Sequence, residues 1–145
     1  MKKILLLGKS GQVGFELNRS LSSLGELITP TRKEVDLEDE LQIASLLKDV
    51  KPDIIVNAAA WTDVDRAEKY KEKTYLLNAR LPEILSDYAN KNKIWIIHYS
   101  TDYVYSGLGS KPWKEGDPTH PHTYYGYTKL EGDKAIQEIC NNHII

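Results

Sequence analysis

Two residues late in the chain have the types and spacing to move a proton. Tyr125 and Lys129 stand four positions apart in Tyr-Gly-Tyr-Thr-Lys, so on a helix they share a face. A phenol is a poor acid at neutral pH unless a cation stabilises its phenolate. Lys129 supplies that cation and can also hold a ribose. Tyr125 can then give a proton to a carbonyl oxygen as hydride reaches the carbon. The plainer reading is a surface i, i+4 pair, common on helices. Tyr124 and Tyr127 stand at the wrong spacing for the role.

Three further segments carry chemistry. Ser100, Thr101, Asp102 and Tyr103 follow an apolar run, and a hydroxyl from Thr101 or Ser100 can orient a carbonyl. The same residue types also make caps and turns. Gly8, Gly11 and Gly14 follow another apolar run. Gly8 allows a tight turn, Gly11 lets backbone approach a pyrophosphate, and Gly14 lets a helix pack closely. Helix N–H groups then face the anion. A plain glycine turn is the alternative, and the strand before it with the helix after it favours the dinucleotide. Asn57, Ala58, Ala59 and Ala60 end a third run, where small side chains leave room for a flat ring. The residue that usually selects between NAD and NADP follows the second strand. Here no acid precedes Glu34, and Arg32 and Lys33 favour a 2′-phosphate, hence NADPH, with NADH as the second possibility. Both cations could equally be solvated loop residues.

These segments need a scaffold that brings them to one edge. Residues 3–7, 53–57 and 94–99 are apolar runs that read as buried strands, with a weaker one at 26–29. Helices are predicted over 12–24 (apolar Val13, Leu17, Leu21, Leu24), over 38–50 (Leu41, Ala44, Leu46, Leu47, capped by Asp36 or Asp39), with interruptions over 64–92, and over 124–140. Pro82 is expected to start a new helix. Residues 107–123 read as a loop, and 143–145 as the beginning of a fifth strand. Alternating strands and helices predict a parallel sheet with helices on both faces, an α/β Rossmann-like doubly wound fold. The expected strand order is 2-1-3-4, with the crevice at the carboxyl ends of strands 1 and 3.

The chain has 145 residues, which fits one domain, residues 1–145, with a core of ordinary size. A net charge of −2 argues against nucleic acid as a partner. Cys140 is the only cysteine, so there is no internal disulfide framework and a reducing, cytoplasmic setting is expected. No apolar run reaches bilayer length, so no membrane association is expected. The four histidines lack metal-ligand spacing, so no metal is expected. His98 reads as a core or pocket residue.

Gly8 to Gly14, Asp53 to Ala60, His98 to Tyr105 and Tyr125 to Gly132, taken in order, resemble the extended short-chain dehydrogenase/reductase superfamily. Within it they are most similar to the dTDP-4-dehydrorhamnose reductases. The resemblance implies NADPH-dependent reduction of the 4-keto group of dTDP-4-dehydro-L-rhamnose, in nucleotide-sugar and cell-surface polysaccharide synthesis. It makes Tyr125 the proton donor, Lys129 its tuner and ribose anchor, and Thr101 the hydroxyl partner. It places Thr62, Val64 and Tyr103 against the sugar and Asp36 near the adenine. It gives the backbone of Gln12 and Val13 to the cofactor phosphates. Family members can form homodimers with Mg²⁺ between acidic side chains, where Glu16 would be one ligand. Tyr105 stands where phenylalanine is usual. The family also carries a carboxyl-terminal substrate lobe and further sheet strands past the point where this sequence stops. The 145-residue chain therefore reads as a fragment and is expected to be a poor reductase alone. Two other readings share these motifs: an NADP-binding regulatory module like the methionine adenosyltransferase β subunit, and a sibling nucleotide-sugar epimerase or dehydratase.

Overall fold

A computed structural model describes residues 1–145. Five parallel strands form one sheet: β1 (Lys3–Leu7), β2 (Glu26–Ile28), β3 (Ile54–Asn57), β4 (Trp95–His98) and β5 (His143–Ile144), in the order β2-β1-β3-β4-β5. The expected 2-1-3-4 arrangement is present, and the fifth strand adds beside β4. Leu7 registers with Asn57, and Asn57 with His98. Three strands therefore end level, and their carboxyl ends form one row.

The pleat sorts the core. Leu5, Leu7, Ile55 and Ile96 face α2 (Glu40–Val50), α5 (Leu81–Asn92) and α6 (Tyr124–Ile139), whose Ile43, Leu47, Leu81, Leu85, Ala89 and Ile136 complete one cluster. Ile4, Leu6 and Val56 point the other way, toward Leu17 and Leu21 of α1 (Gln12–Leu21). Period-two alternation along β1 thus feeds both faces. Helices lie on both sides, as a doubly wound sheet requires.

Two helical faces differ from expectation. On α2 the buried residues are Ile43 and Leu47, with Leu46 beside them, while Leu41 is 82% exposed. Asp39 caps this helix by accepting from the N–H groups of Leu41 and Gln42, which turns Leu41 in the first turn toward solvent. Asp36 instead accepts from Glu38 N–H in the preceding turn. On α1 the helix ends at Leu21, so Leu24 falls past it and is exposed, as is Val13.

Pro82 stands in the first turn of α5, as expected, but α5 does not start from a loop. After a short helix α3 (Val64–Ala67), the backbone is helical without a break through α4 (Lys71–Tyr75), a π turn (Leu76–Arg80) and α5. Leu81 N–H reaches back five residues to the Leu76 carbonyl. Proline lacks the N–H that an α turn would send to the Asn78 carbonyl. The widened turn absorbs that gap, and the Asn78 carbonyl packs on Gly132 of α6, where a Cβ would collide with it.

Candidate active site

The first corner follows β1. Gly8 adopts φ +85°, and a Cβ there would stand 2.6 Å from Ala58 C and Ala59 N. Only glycine suits both the left-handed backbone and the contact. Gly14 packs so closely on the Gly8 carbonyl that a Cβ would overlap it, whereas a Cβ at Gly11 would make only an ordinary contact with that carbonyl at 3.5 Å. Gly11 precedes α1 with no side-chain cap. The N–H groups of Gln12, Val13 and Gly14 have no partner in the chain, as expected for an uncapped first turn. Lys9 bridges from this corner to Thr29, just past β2, with Nζ donating to Oγ1 at 3.0 Å. Arg32 and Lys33 lie exposed in the turn beyond, without an ion pair.

The second corner joins β4 to α6. Thr123 caps α6 by accepting from Gly126 N–H at 3.0 Å, and Glu68 accepts from Tyr124 N–H at 2.8 Å. The helix start is therefore fixed from two sides. Gly126 presses on the Tyr103 carbonyl, bringing α6 against the short 3₁₀ turn Asp102–Val104. The Tyr103 and Tyr125 rings meet edge to face, with centroids 5.5 Å apart. Thr101 caps the 3₁₀ turn by accepting from Tyr103 N–H. Tyr125 is buried but for its rim, and its hydroxyl has no partner in the chain and is not shut off from solvent.

One turn further on, Lys129 is 2% exposed. Its Nζ donates to the Tyr99 carbonyl at 2.5 Å and stands 3.0 Å from His98 Nε2. Burial lowers its pKa to about 8 against the opposing pull of Asp133. Burial, with Lys129 alongside, holds His98 well below the usual histidine range. Asn57 completes the chain of contacts: its Nδ2 donates to His98 Nδ1 at 3.1 Å, and its Oδ1 accepts from Ala59 N–H at 3.2 Å. Ser100 Oγ donates to Asp133 Oδ2.

The fold thus gathers the expected residues along one sheet edge. Gly8, Gly11, Gln12, Val13 and Gly14 form the corner above β1. Asn57 to Ala60 lie above β3, and Ser100, Thr101, Tyr103, Tyr125 and Lys129 lie above β4. With β3 between them, β1 and β4 are about 10 Å apart. Thr62 is exposed and Val64 half-buried in the segment leaving β3. Asn78 secures that segment: Oδ1 accepts from Trp61 N–H at 2.8 Å, while Nδ2 donates to the Trp61 carbonyl at 3.1 Å and to Thr128 at 3.2 Å. Asp36 accepts from Glu38 N–H in the turn before α2, and the Asn57 side chain is spent inside the sheet on His98 and Ala59. Glu16 is paired with Arg19 at 2.9 Å on the outer face of α1.

Sequence reasoning missed Asp133, Lys9, Asn78 and Glu68. Asp133 had a signal, since it lies four residues past Lys129 and hence on the same helix face. Lys9 follows the first glycine directly. Asn78 and Glu68 act across elements and had no local signature.

A parallel, doubly wound sheet with a glycine corner after its first strand defines a Rossmann-like α/β chain. Residues 1–145 match the family described as RmlD substrate binding domain. The dTDP-4-dehydrorhamnose reductase of Escherichia coli strain K12 is 49% identical over 146 residues, covering 98% of this chain and 49% of that protein. A solved structure of a dTDP-4-dehydrorhamnose reductase from Clostridium acetobutylicum superposes with a TM-score of 0.91 at 32% identity, over 97% of this chain and 51% of that one. The Bacillus anthracis reductase, solved in complex with NADP, gives 0.91 at 26% identity, over 98% and 51%. The chain belongs to this RmlD family, and it spans about half the length of the curated relatives it matches. No helix is long and apolar enough to cross a membrane.

Proposed function

We propose that this chain carries the cofactor site and the proton-donating residues of an NADPH-dependent reductase, which reduces the 4-keto group of dTDP-4-dehydro-L-rhamnose to give dTDP-L-rhamnose. The observation that carries the reading is the shared sheet edge, with an uncapped glycine corner at one end and Tyr125 with buried Lys129 at the other. The reductase names of the relatives, and NADP in one of their structures, support the same reading.

The corner fits a dinucleotide. Its glycines let the backbone turn and pack tightly where a Cβ at Gly8 or Gly14 would collide, and three unpartnered N–H groups lie at the start of α1. Lys9 and Arg32 supply positive charge where a 2′-phosphate would rest. When bound, the nicotinamide supplies hydride. Lys129 has three N–H donors; one is used on Tyr99, which leaves another for a ribose hydroxyl. Its charge also favours phenolate at Tyr125 after the proton has left. Thr101 presents a second hydroxyl at the rim, and Thr62, Val64 and Tyr103 border the space a sugar would enter.

The test follows NADPH absorbance with dTDP-4-dehydro-L-rhamnose. It compares the 145-residue chain with the same chain continued to the length of its relatives. The longer protein turns over, the shorter one slowly or not at all. Tyr125→Phe in the longer protein loses at least about 100-fold in kcat while NADPH still binds. Undiminished turnover by that variant overturns the assignment. Tight NADP binding without turnover would point to a regulatory module, and a cofactor retained through purification to an epimerase-like sibling.

A further inference from the structure

We infer that Asp133 is the positioning residue of this site: it accepts the His98 proton that would otherwise oppose the Lys129 ammonium, and it clamps Ser100 beside them. The inference rests on the reading of Lys129 as the ribose and phenolate anchor.

The argument is one of donors and acceptors. Asn57 Oδ1 is committed to Ala59 N–H, so the amide presents Nδ2 to His98 Nδ1. Nδ1 must therefore accept. A neutral imidazole has one proton, which then sits on Nε2. That nitrogen lies 3.0 Å from Lys129 Nζ, so a charged lysine would leave two donors face to face. Asp133 Oδ1 is 3.6 Å from the same Nε2, buried, and without any other partner. It is the acceptor toward which the imidazole N–H can turn when Lys129 is charged. Asp133 Oδ2 meanwhile receives Ser100 Oγ–H, which holds the start of the Ser100–Thr101 segment.

The Lys129 ammonium has two hydrogen-bonding neighbours, the neutral Tyr99 carbonyl and His98 Nε2. His98 is the only titratable group facing it from β4, and Asp133 is the one carboxylate that supports its charge. Burial raises Asp133, while Ser100 and Lys129 pull it back down.

The experiment is a lysine side-chain NMR titration without cofactor, on wild type, Asp133→Asn and Asp133→Glu. In wild type Lys129 titrates at about 8. Asp133→Asn lowers that midpoint by about one pH unit, a tenfold loss of proton affinity, and Asp133→Glu restores most of it. An unmoved midpoint in Asp133→Asn overturns the inference. Should that variant fail to fold, ¹⁵N imidazole spectra of wild type decide: His98 carries its proton on Nε2, and a proton on Nδ1 overturns the inference. NADPH titrated against pH forms a separate arm, in which affinity falls as Lys129 loses its proton, at lower pH in Asp133→Asn. If NADPH fails to bind at any pH, the reductase reading falls, while the NMR arms still judge Asp133.

Discussion

At the β1–α1 corner, backbone packs on backbone. Gly8 touches the Ala58–Ala59 peptide and Gly14 touches Gly8, and the Lys9–Thr29 bridge is the side-chain contact beside them. At the β4–α6 corner the contacts run through side chains: Asn57, His98, Lys129 and Asp133 form one buried polar chain that ends at exposed Ser100. The first corner presents fixed dipoles that do not titrate. The second presents groups whose charge depends on one another, in surroundings that make an unpaired polar atom costly. One end of the site is thus sensitive to volume and the other to protons.

The largest test of that contrast is Gly14→Ala. Its methyl would overlap the Gly8 carbonyl, and neither backbone can yield cheaply. A loss of about 3 kcal/mol or more in folding stability is expected, read by urea denaturation. An unchanged midpoint would mean that the corner is softer than its geometry implies. A smaller effect belongs to the proton-sensitive end. Lys129 titrates at about 8 in the folded chain against an ordinary 10.5. Between those values the unfolded chain binds more protons, so stability rises with pH across that window and is flat below it. The gain from pH 7.5 to 9.5 is about 2 kcal/mol, and Lys129→Met abolishes this slope. A slope that persists in the variant assigns it to other groups. The smallest effect on stability is that of Arg32→Ala. Its guanidinium is exposed and unpaired, so stability changes by less than about 0.5 kcal/mol. NADPH affinity should nevertheless fall further than NADH affinity, and equal losses would remove Arg32 from the 2′-phosphate.

The two ends were also unequally legible in the sequence. The glycine corner could be read because its chemistry is local: a strand, three glycines and a helix are contiguous. Strands β1, β3 and β4 were plain as continuous apolar runs, and their order followed from parallel crossovers. Tyr125 and Lys129 could be paired by helical spacing. Asp133 was within reach of the same spacing, but the rest of the network that buries Lys129 could not be seen, because Asn57 and His98 come from β3 and β4 and meet α6 only through tertiary packing. Leu41 misled because it is apolar but lies in the first turn of α2, where the Asp39 cap turns it outward. Pro82 marked the first turn of α5, but nothing in the sequence announced the π turn ahead of it.

That π turn does more than accommodate a ring. Within it Asn78 is aimed at Trp61 and Thr128; downstream α5 aims Leu81, Leu85 and Ala89 at the sheet. A helix of uniform pitch advances about 100° per residue, so it could satisfy only one of these alignments. The extra residue works as a phase adjuster between two registers. Deleting a single position from Leu76–Arg80 would rotate one half of this long helix against the other, unseating either the loop that leaves β3 or the hydrophobic core.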